Sequence, residues 1–392
     1  MSAAMPATEW SRRADYARLV KALGADDMRW VGGCVRDALM GHDSRDIDAA
    51  TRHHPAAVID RCKAAGIRTV PTGIDHGTVT AIFECGNVEI TTLRRDVATD
   101  GRRATIAFAE DWREDAARRD FTINALFAHP ETLEISDYFG GLADLAARRV
   151  RFIGDARARI REDYLRLLRY FRFQARFGAD WDEDASEACR ELAPGLKGLS
   201  RERVGWELQS LLALPDPVEA IARMRELGVL QAVLPESSAR DVATFARLVA
   251  SEAAQGALPD PIRRLGALLP AVRPVAEAVS ARLRLSRSQR DRLCCIAARD
   301  PRDGDDPLAL AYYQGALCAR DRLLIGGHDA SALAQWEAPD LPLKGGEIVA
   351  RGVGRGPEVA RLLQAVERRW VAEGFPPRER VEALLEEELA SR

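Results

Sequence analysis

The sequence predicts an α/β head followed by an all-helical remainder, with the change near Arg149. Short apolar stretches alternate with helical segments up to that point, as is typical of α/β folds. A hairpin is indicated by two β-rich runs, Thr78–Glu84 and Val88–Leu93, which flank the turn sequence Cys85-Gly-Asn. Beyond Arg149 the helical periodicity continues to the end of the chain, and proline-containing breaks interrupt it.

These breaks divide the chain into four predicted domains. The head covers residues 1–149 and opens with an amphipathic helix over Trp10–Leu23. Three helical domains follow, over residues 150–215, 216–300 and 301–392, and prolines such as Pro215 and Pro301 lie at their boundaries.

The composition is that of a globular protein without a membrane partner. Of 392 residues, 47% are hydrophobic and 30% are charged. No apolar run approaches the length of a membrane span, and no basic-then-apolar signal region opens the chain. Seven cysteines show neither a Cys-x-x-Cys pair nor a Cys/His cluster, so neither zinc nor a disulfide framework is indicated. The expected compartment is a reducing cytoplasm.

The charge distribution is more informative than the net charge. A net charge of −3 is low for a protein that binds nucleic acid. The segment from Arg148 to Arg176, however, contains ten arginines and only three acidic residues. This local excess indicates a basic region in the first helical domain.

Two segments near the N-terminus supply the two halves of a phosphoryl-transfer site. Gly32 and Gly33 open a predicted helix, where backbone amides can approach a triphosphate. Asp46 and Asp48 flank Ile47, and on a strand residues i and i+2 share one face. Paired carboxylates together with substrate phosphates suit Mg²⁺. The sequence therefore predicts a magnesium-dependent site for a nucleotide.

The order of these residues resembles motif A of the class II tRNA nucleotidyltransferases and the related bacterial poly(A) polymerases. Further segments are similar to motifs B to E of that family, namely Arg118–Ala125, Asp137–Leu145, Glu162–Arg166 and Ser200–Leu208. The resemblance covers residues 30 to about 210 densely. It implies a nucleotidyltransferase-type α/β head followed by an all-α neck, body and RNA-binding tail.

The resemblance also implies the roles of individual residues. Asp46 and Asp48 would be the catalytic carboxylates that hold Mg²⁺, and Glu89 is a candidate third metal ligand because it alternates with apolar strand neighbours. Nucleotide contacts are expected from both glycines and from a set of charged residues, namely Gly32, Gly33, Arg36, Arg119, Asp120, Asp163, Arg166, Arg169 and Arg172.

Base selection is assigned to a predicted helix over Ile160–Gly178. On such a helix Asp163 and Arg166 are neighbours, being three residues apart. A carboxylate accepts from the amino group of cytosine or adenine, and an arginine donates to the adjacent ring nitrogen. Uracil and guanine offer the reverse pattern and would leave both side chains unpaired.

The predicted function is the template-independent addition of C, C and A to the 3′ end of tRNA from CTP and ATP. The resemblance is closest to the bacterial and mitochondrial CCA-adding branch, because Thr91–Arg103 retains a flexible-loop segment that enzymes adding only CC typically lack. Expected partners are tRNA, ATP and CTP, and the expected state is a monomer or a weak homodimer. Two alternatives stay open, a poly(A) polymerase and a non-catalytic RNA-binding protein.

Overall fold

The computed structural model describes residues 3–44, 46–100, 103–354 and 356–391. Their contacts group into two compact units. The first comprises Met1–Ser200 with Arg223–Val233, and the second comprises Arg201–Ala222 with Leu234–Arg392. The predicted fold class, an α/β head followed by helices, is confirmed. The division into four domains stays a prediction.

A seven-stranded mixed sheet forms the centre of the head, with strand order β3-β4-β5-β2-β1-β8-β9. β2 pairs with β5 in parallel, whereas β4 and β5 form the predicted antiparallel hairpin. A separate two-stranded hairpin consists of β6 and β7. The strands are β1 Met28–Val31, β2 Ile47–Thr51, β3 Arg68–Gly73, β4 Thr78–Ile82, β5 Val88–Thr92, β6 Arg94–Asp100, β7 Arg103–Phe108, β8 Leu126–Ala128 and β9 Ile135–Asp137.

The helices up to residue 200 are α1 Ala14–Leu23, α2 Gly33–Leu39, α3 Pro55–Ala64, α4 Trp112–Ala117, α5 Gly141–Ala146, α6 Ala156–Glu162, α7 Leu165–Phe177 and α8 Glu183–Leu192. The predicted helix over Trp10–Leu23 is wrong at its start. A 3₁₀ turn over Trp10–Arg12 ends at Arg13, whose extended backbone (φ −68°, ψ 133°) separates it from α1.

The two faces of the central sheet have different surroundings, and this difference positions the site. Ile47 and Ala49 of β2 join the larger core with Val88 and Ile90 of β5. The intervening residues point to the opposite face, where Ala50 joins a smaller core that contains Trp112 and other residues. The carboxylates that alternate with these apolar residues therefore lie on the face opposite the larger core.

From residue 201 onward, every element that the structure describes is helical. The α-helices are α9 Arg201–Leu212, α10 Val218–Glu226, α11 Val229–Val233, α12 Ala239–Ala254, α13 Pro261–Ala267, α14 Arg273–Arg282, α15 Arg287–Ile296, α16 Pro307–Gln314, α17 Ala316–Gly326, α18 Gly345–Ala350, α19 Pro357–Ala372 and α20 Arg378–Ala390. Buried ion pairs join several of them. Asp321 of α17, for example, accepts from Arg292 at 2.7 Å and from Arg263 at 3.4 Å.

One disulfide corrects the expectation from the cysteine spacing. Cys295 in α15 and Cys318 in α17 are bonded, with their Cα atoms 6.3 Å apart. They are 23 residues apart in sequence, and only the packing of α15 against α17 brings them together, so the spacing gave no signal. The cytoplasmic expectation relied in part on unpaired cysteines and stays a prediction.

No helix within the described part of the chain is both long and apolar enough to cross a membrane.

Candidate active site

The glycine pair forms the turn between β1 and α2, as predicted. Gly32 has a positive φ of 75° and precedes the first residue of α2, Gly33. A Cβ atom on Gly32 would lie 3.2 Å from Nη1 of Arg119. The backbone conformation therefore favours glycine here, and a Cβ atom would in addition press on the guanidinium group of Arg119.

The acidic residues meet on β2 and β5. Asp48 lies in register with Glu89 on the adjacent parallel strand, so the two side chains are neighbours on one face. Asp46 immediately precedes β2 and is exposed. This arrangement agrees with the prediction that Glu89 projects away from its apolar neighbours.

The pKa of Asp48 is raised above its usual value. Burial is the largest cause, followed by the negative charge of Glu89 and, more weakly, that of Asp46, and together they raise the pKa of Asp48 to about 6. The positive charge of Arg119 acts in the opposite direction. The charged form of Asp48 is therefore disfavoured in the absence of a nearby positive charge. A divalent cation bound at this position would stabilise that charged form.

The acidic cluster is loose in this structure. Among the described residues, no three His, Cys, Asp or Glu side chains are close enough together to hold a metal ion. The carboxylate oxygens present are nevertheless the ligands that Mg²⁺ prefers. Asp46, Asp48 and Glu89 therefore stay predictions as metal ligands.

Arg119 lies between the acidic residues and the glycine turn. Its Nη2 donates to Oδ2 of Asp115 at 3.1 Å, and its guanidinium lies 5.2 Å above the ring of Phe127. Asp115 belongs to α4, one helical turn before Arg119. The Asp115 carboxylate thus fixes one edge of the Arg119 guanidinium, while Nη1 lies close to Gly32.

Asp120 is buried and fully engaged with protein groups. One carboxylate oxygen accepts from the Phe121 amide at 2.8 Å and from Nδ2 of Asn124 at 2.9 Å. The other accepts from Nε of Arg169 at 2.7 Å. Burial acts to raise the pKa of Asp120, but Arg169 and these hydrogen bonds outweigh it and lower the pKa. Asp120 therefore links the motif B segment to α7.

Arg36 is placed as an internal brace. It is 4% exposed, and Nε and Nη2 donate to Oδ1 of Asp37. Nη1 donates to Oδ1 of Asn124 at 2.5 Å, and the guanidinium lies 4.3 Å above the Phe177 ring. Its direct contact with nucleotide stays a prediction.

The predicted continuous helix over Ile160–Gly178 is wrong. α6 ends at Glu162, and Asp163 has an extended backbone (φ −151°, ψ 105°). Oδ1 of Asp163 accepts from the Leu165 amide at 3.1 Å, which is the local side-chain bond that lets aspartate interrupt a helix. α7 starts at Leu165.

This break changes the geometry of the proposed base-selecting pair. Arg166 donates to Oε2 of Glu162 at 2.5 Å and to the Arg118 carbonyl at 2.9 Å. The Arg166 amide donates to the Asp163 carbonyl at 2.9 Å, so the two residues lie close together at the α6–α7 junction and not within one continuous helix. Arg172 lies further along α7, with its guanidinium 4.7 Å above the Phe173 ring. Base selection by Asp163 and Arg166 stays a prediction.

Sequence reasoning missed two residues that organise this site. Asn124 bridges Arg36 and Asp120, and Asp115 holds Arg119. Asn124 lies within the quoted motif B segment, and Asp115 precedes Arg119 by the four residues that place side chains together on a helix. That spacing was a usable signal.

Comparisons with known proteins agree with the geometry. The family model described as the poly A polymerase head domain matches residues 28–151, and a model described as the probable RNA and SrmB-binding site of polymerase A matches residues 180–240. A CCA-adding enzyme of Streptococcus pyogenes is 42% identical over 197 residues, which cover 50% of this chain and 48% of that protein.

Longer similarities include the helical part. The structure resembles the crystal structure of the Bacillus stearothermophilus CCA-adding enzyme in complex with CTP, with a TM-score of 0.76 and 25% identity over 97% of this chain and 99% of the other. The mitochondrial CCA tRNA nucleotidyltransferase 1 of Mus musculus is 35% identical over 370 residues, 89% of this chain and 84% of the mouse protein. Because that likeness runs through the head and the helical part alike, the chain belongs to the family of CCA tRNA nucleotidyltransferases.

Proposed function

We propose that this protein adds C, C and A to the 3′ end of tRNA, using CTP and ATP and releasing pyrophosphate. The observation that carries the proposal is the meeting of Asp48 and Glu89 in register, on the sheet face that Arg119 also approaches. A carboxylate pair beside an arginine and a glycine turn suits nucleotidyl transfer. Likeness to CCA tRNA nucleotidyltransferase 1 along most of the chain supplies the substrate class.

In each cycle the terminal 3′-hydroxyl oxygen of the tRNA attacks the α-phosphorus of the nucleotide. An O–P bond forms as the hydroxyl releases its proton to water, the bond from the α-phosphorus to the bridging oxygen breaks, and pyrophosphate leaves with that electron pair. Asp46 and Asp48, with Glu89 as a third candidate, would hold Mg²⁺. When bound, this ion supplies charge neutralisation at the phosphates and lowers the pKa of the attacking hydroxyl.

The protein groups position the nucleotide. Arg119 is aimed at the Gly32 turn, where it can pair with phosphate oxygens. Asp163 and Arg166 at the α6–α7 junction would read the base, admitting cytosine and adenine. We place the reaction in the cytoplasm, with a monomer or weak homodimer as the active form.

The test offers the purified protein a tRNA that lacks its 3′ CCA, together with Mg²⁺, CTP and ATP. We expect an extension of three nucleotides. A long tract of A would identify a poly(A) polymerase, the alternative that shares these motifs. Binding without extension would indicate a non-catalytic RNA-binding protein.

A further inference from the structure

Asp115 receives hydrogen bonds from three residues of the head, Arg94 and the consecutive Arg118 and Arg119. Its carboxylate is 1% exposed. Oδ1 accepts from the backbone amide of Arg94 at 3.2 Å and from Nε of Arg118 at 2.8 Å. Oδ2 accepts from Nε and Nη2 of Arg119 at 3.3 and 3.1 Å. Both carboxylate oxygens therefore accept hydrogen bonds, from the start of the β6–β7 hairpin and from the two arginines that follow α4.

Each of these donors leads to a different functional element. Arg94 is the first residue of the β6–β7 hairpin. Arg118 carries the carbonyl that accepts from Nη2 of Arg166 at 2.9 Å. Arg119 reaches the Gly32 turn and acts electrostatically on Asp48. Asp115 thus lies where the hairpin, the α6–α7 junction and the nucleotide-facing arginine are joined.

Stabilisation of the fold is a weak explanation for a carboxylate buried between arginines. A buried ion pair returns little net free energy of folding, because the desolvation of both charges offsets their attraction. Such a pair does fix the direction of a guanidinium group, because the fork of donors must match two carboxylate oxygens. At Arg119 that direction determines whether Nη1 faces the glycine turn.

We propose that Asp115 is a positioning residue for nucleotide binding, which orients Arg119 toward the Gly32 turn and ties it to the base of the β6–β7 hairpin. The inference rests on the proposed function, since it assigns Arg119 to the incoming nucleotide. It adds a residue that acts through Arg119 without touching the substrate.

The main variant is Asp115→Asn, which keeps the volume and turns half of the carboxylate into a donor that Arg119 cannot use. Loss of a charged hydrogen bond predicts that KM for CTP and ATP rises about tenfold or more. KM for tRNA should stay within about twofold, because phosphate contacts elsewhere supply that affinity. Asp115→Glu keeps the charge, and its nucleotide KM should lie nearer the wild-type value than that of Asp115→Asn.

The matched control is Asp321→Asn in the second unit. Asp321 is also fully buried between two arginines, Arg263 and Arg292. We expect Asp321→Asn to lower the melting temperature in a comparable way and to leave the nucleotide KM unchanged. An equal rise of nucleotide KM in the control would overturn the proposal, because it would reflect general destabilisation.

A double-variant cycle separates positioning from a structural role. If Asp115 acts through Arg119, adding Asp115→Asn to Arg119→Ala should raise nucleotide KM no further. Independent, multiplicative effects of the two changes would overturn the proposal, and so would an unchanged KM in Asp115→Asn alone. Failure of the wild-type protein to extend tRNA would instead refute the proposed function.

Discussion

The surroundings of Asp48 have opposite effects on its ionisation and on cation binding. Its register with Glu89 and its burial make the charged form costly, and the same neighbours make the site attractive to a cation. The predicted metal ligand is thus a carboxylate whose charged form is disfavoured in the metal-free fold. The glycine pair and the alternating acids were visible in the sequence, whereas this cost depends on strand pairing that the sequence does not show.

The first prediction is that Asp48→Asn is inactive yet more stable than the wild type in the presence of a chelator. The folded state raises the pKa of Asp48 from 3.8 to about 6, so the folded state binds the proton more tightly than the unfolded state. The contribution of the protonated group is complete below the unfolded pKa and is lost as the pH rises through the folded pKa. Near pH 7.5 the variant should therefore gain about 1–3 kcal/mol in free energy of unfolding.

Denaturant unfolding of the wild type and of Asp48→Asn at two pH values checks the sign of this change in the free energy of unfolding. The gain should shrink toward zero near pH 4, where Asp48 is increasingly protonated in both states. Glu89→Gln should give a smaller gain at neutral pH, because it removes one of the causes. A variant that is less stable than the wild type at neutral pH would contradict this account of Asp48.

The second prediction compares two glycines with nearly equal φ. Gly32 and Gly41 have φ of 75° and 74°, and a Cβ on Gly41 would meet nothing within 4 Å. Gly32 has ψ −124°, outside the left-handed helical region, so alanine there should cost at least the roughly 1–3 kcal/mol expected at a positive-φ position such as Gly41. Only Gly32→Ala should also raise KM for CTP and ATP, because its Cβ presses on Arg119. Equal nucleotide KM values for the two variants would show that the approach of Arg119 to Gly32 is irrelevant to binding.

At the element scale, the α6–α7 break is the clearest departure from sequence reasoning. Helical periodicity continues across Asp163, so the sequence favoured one helix. The hydrogen bond that Oδ1 of Asp163 accepts from the Leu165 amide interrupts it.

Several arginines of the basic region between Arg148 and Arg176 are paired with acidic residues of the head. Arg149 and Arg151 pair with Asp144, Arg169 with Asp120, and Arg176 with Asp37. Several of its charges therefore brace the head, and composition could not reveal those partners.

The third prediction concerns base choice at this junction. Arg166→Ala should let UTP or GTP compete with CTP, because one charged hydrogen bond is worth about ten- to a hundredfold in selectivity. The control is Arg161→Ala, whose side chain is 55% exposed and pairs with Glu191. The measurement is kcat/KM for all four nucleotides with the wild type and with both variants. A uniform decrease that preserves the wild-type ratios would reduce Arg166 to a partner of Glu162.

The fourth prediction concerns the link between α15 and α17. Reduction of Cys295–Cys318, with a sequence separation of 23, should lower the free energy of unfolding by about 3 kcal/mol. Cys318→Ser should reproduce the loss, whereas Cys85→Ser, at an exposed free cysteine, should not. Equal unfolding curves with and without reductant would show that the bond contributes nothing to stability.

At the scale of the whole molecule, the sequence predicted the order of the parts better than their contacts. The α/β head, the hairpin at β4–β5, the glycine turn and the family were all accessible, because each depends on local pattern or motif order. Asp115 was missed although its spacing to Arg119 was a signal, whereas the contacts of Asn124 with Arg36 and of Cys295 with Cys318 arise only from folding.

The nucleotide sequence of the product 3′ ends tests CCA addition most directly. Three tRNA substrates, ending before the CCA, after the first C and after the second C, are each incubated with all four nucleotides and Mg²⁺. We expect addition of C-C-A, C-A and A respectively, and then no further extension. Products that continue with A, or that carry U or G at these positions, would contradict this expectation.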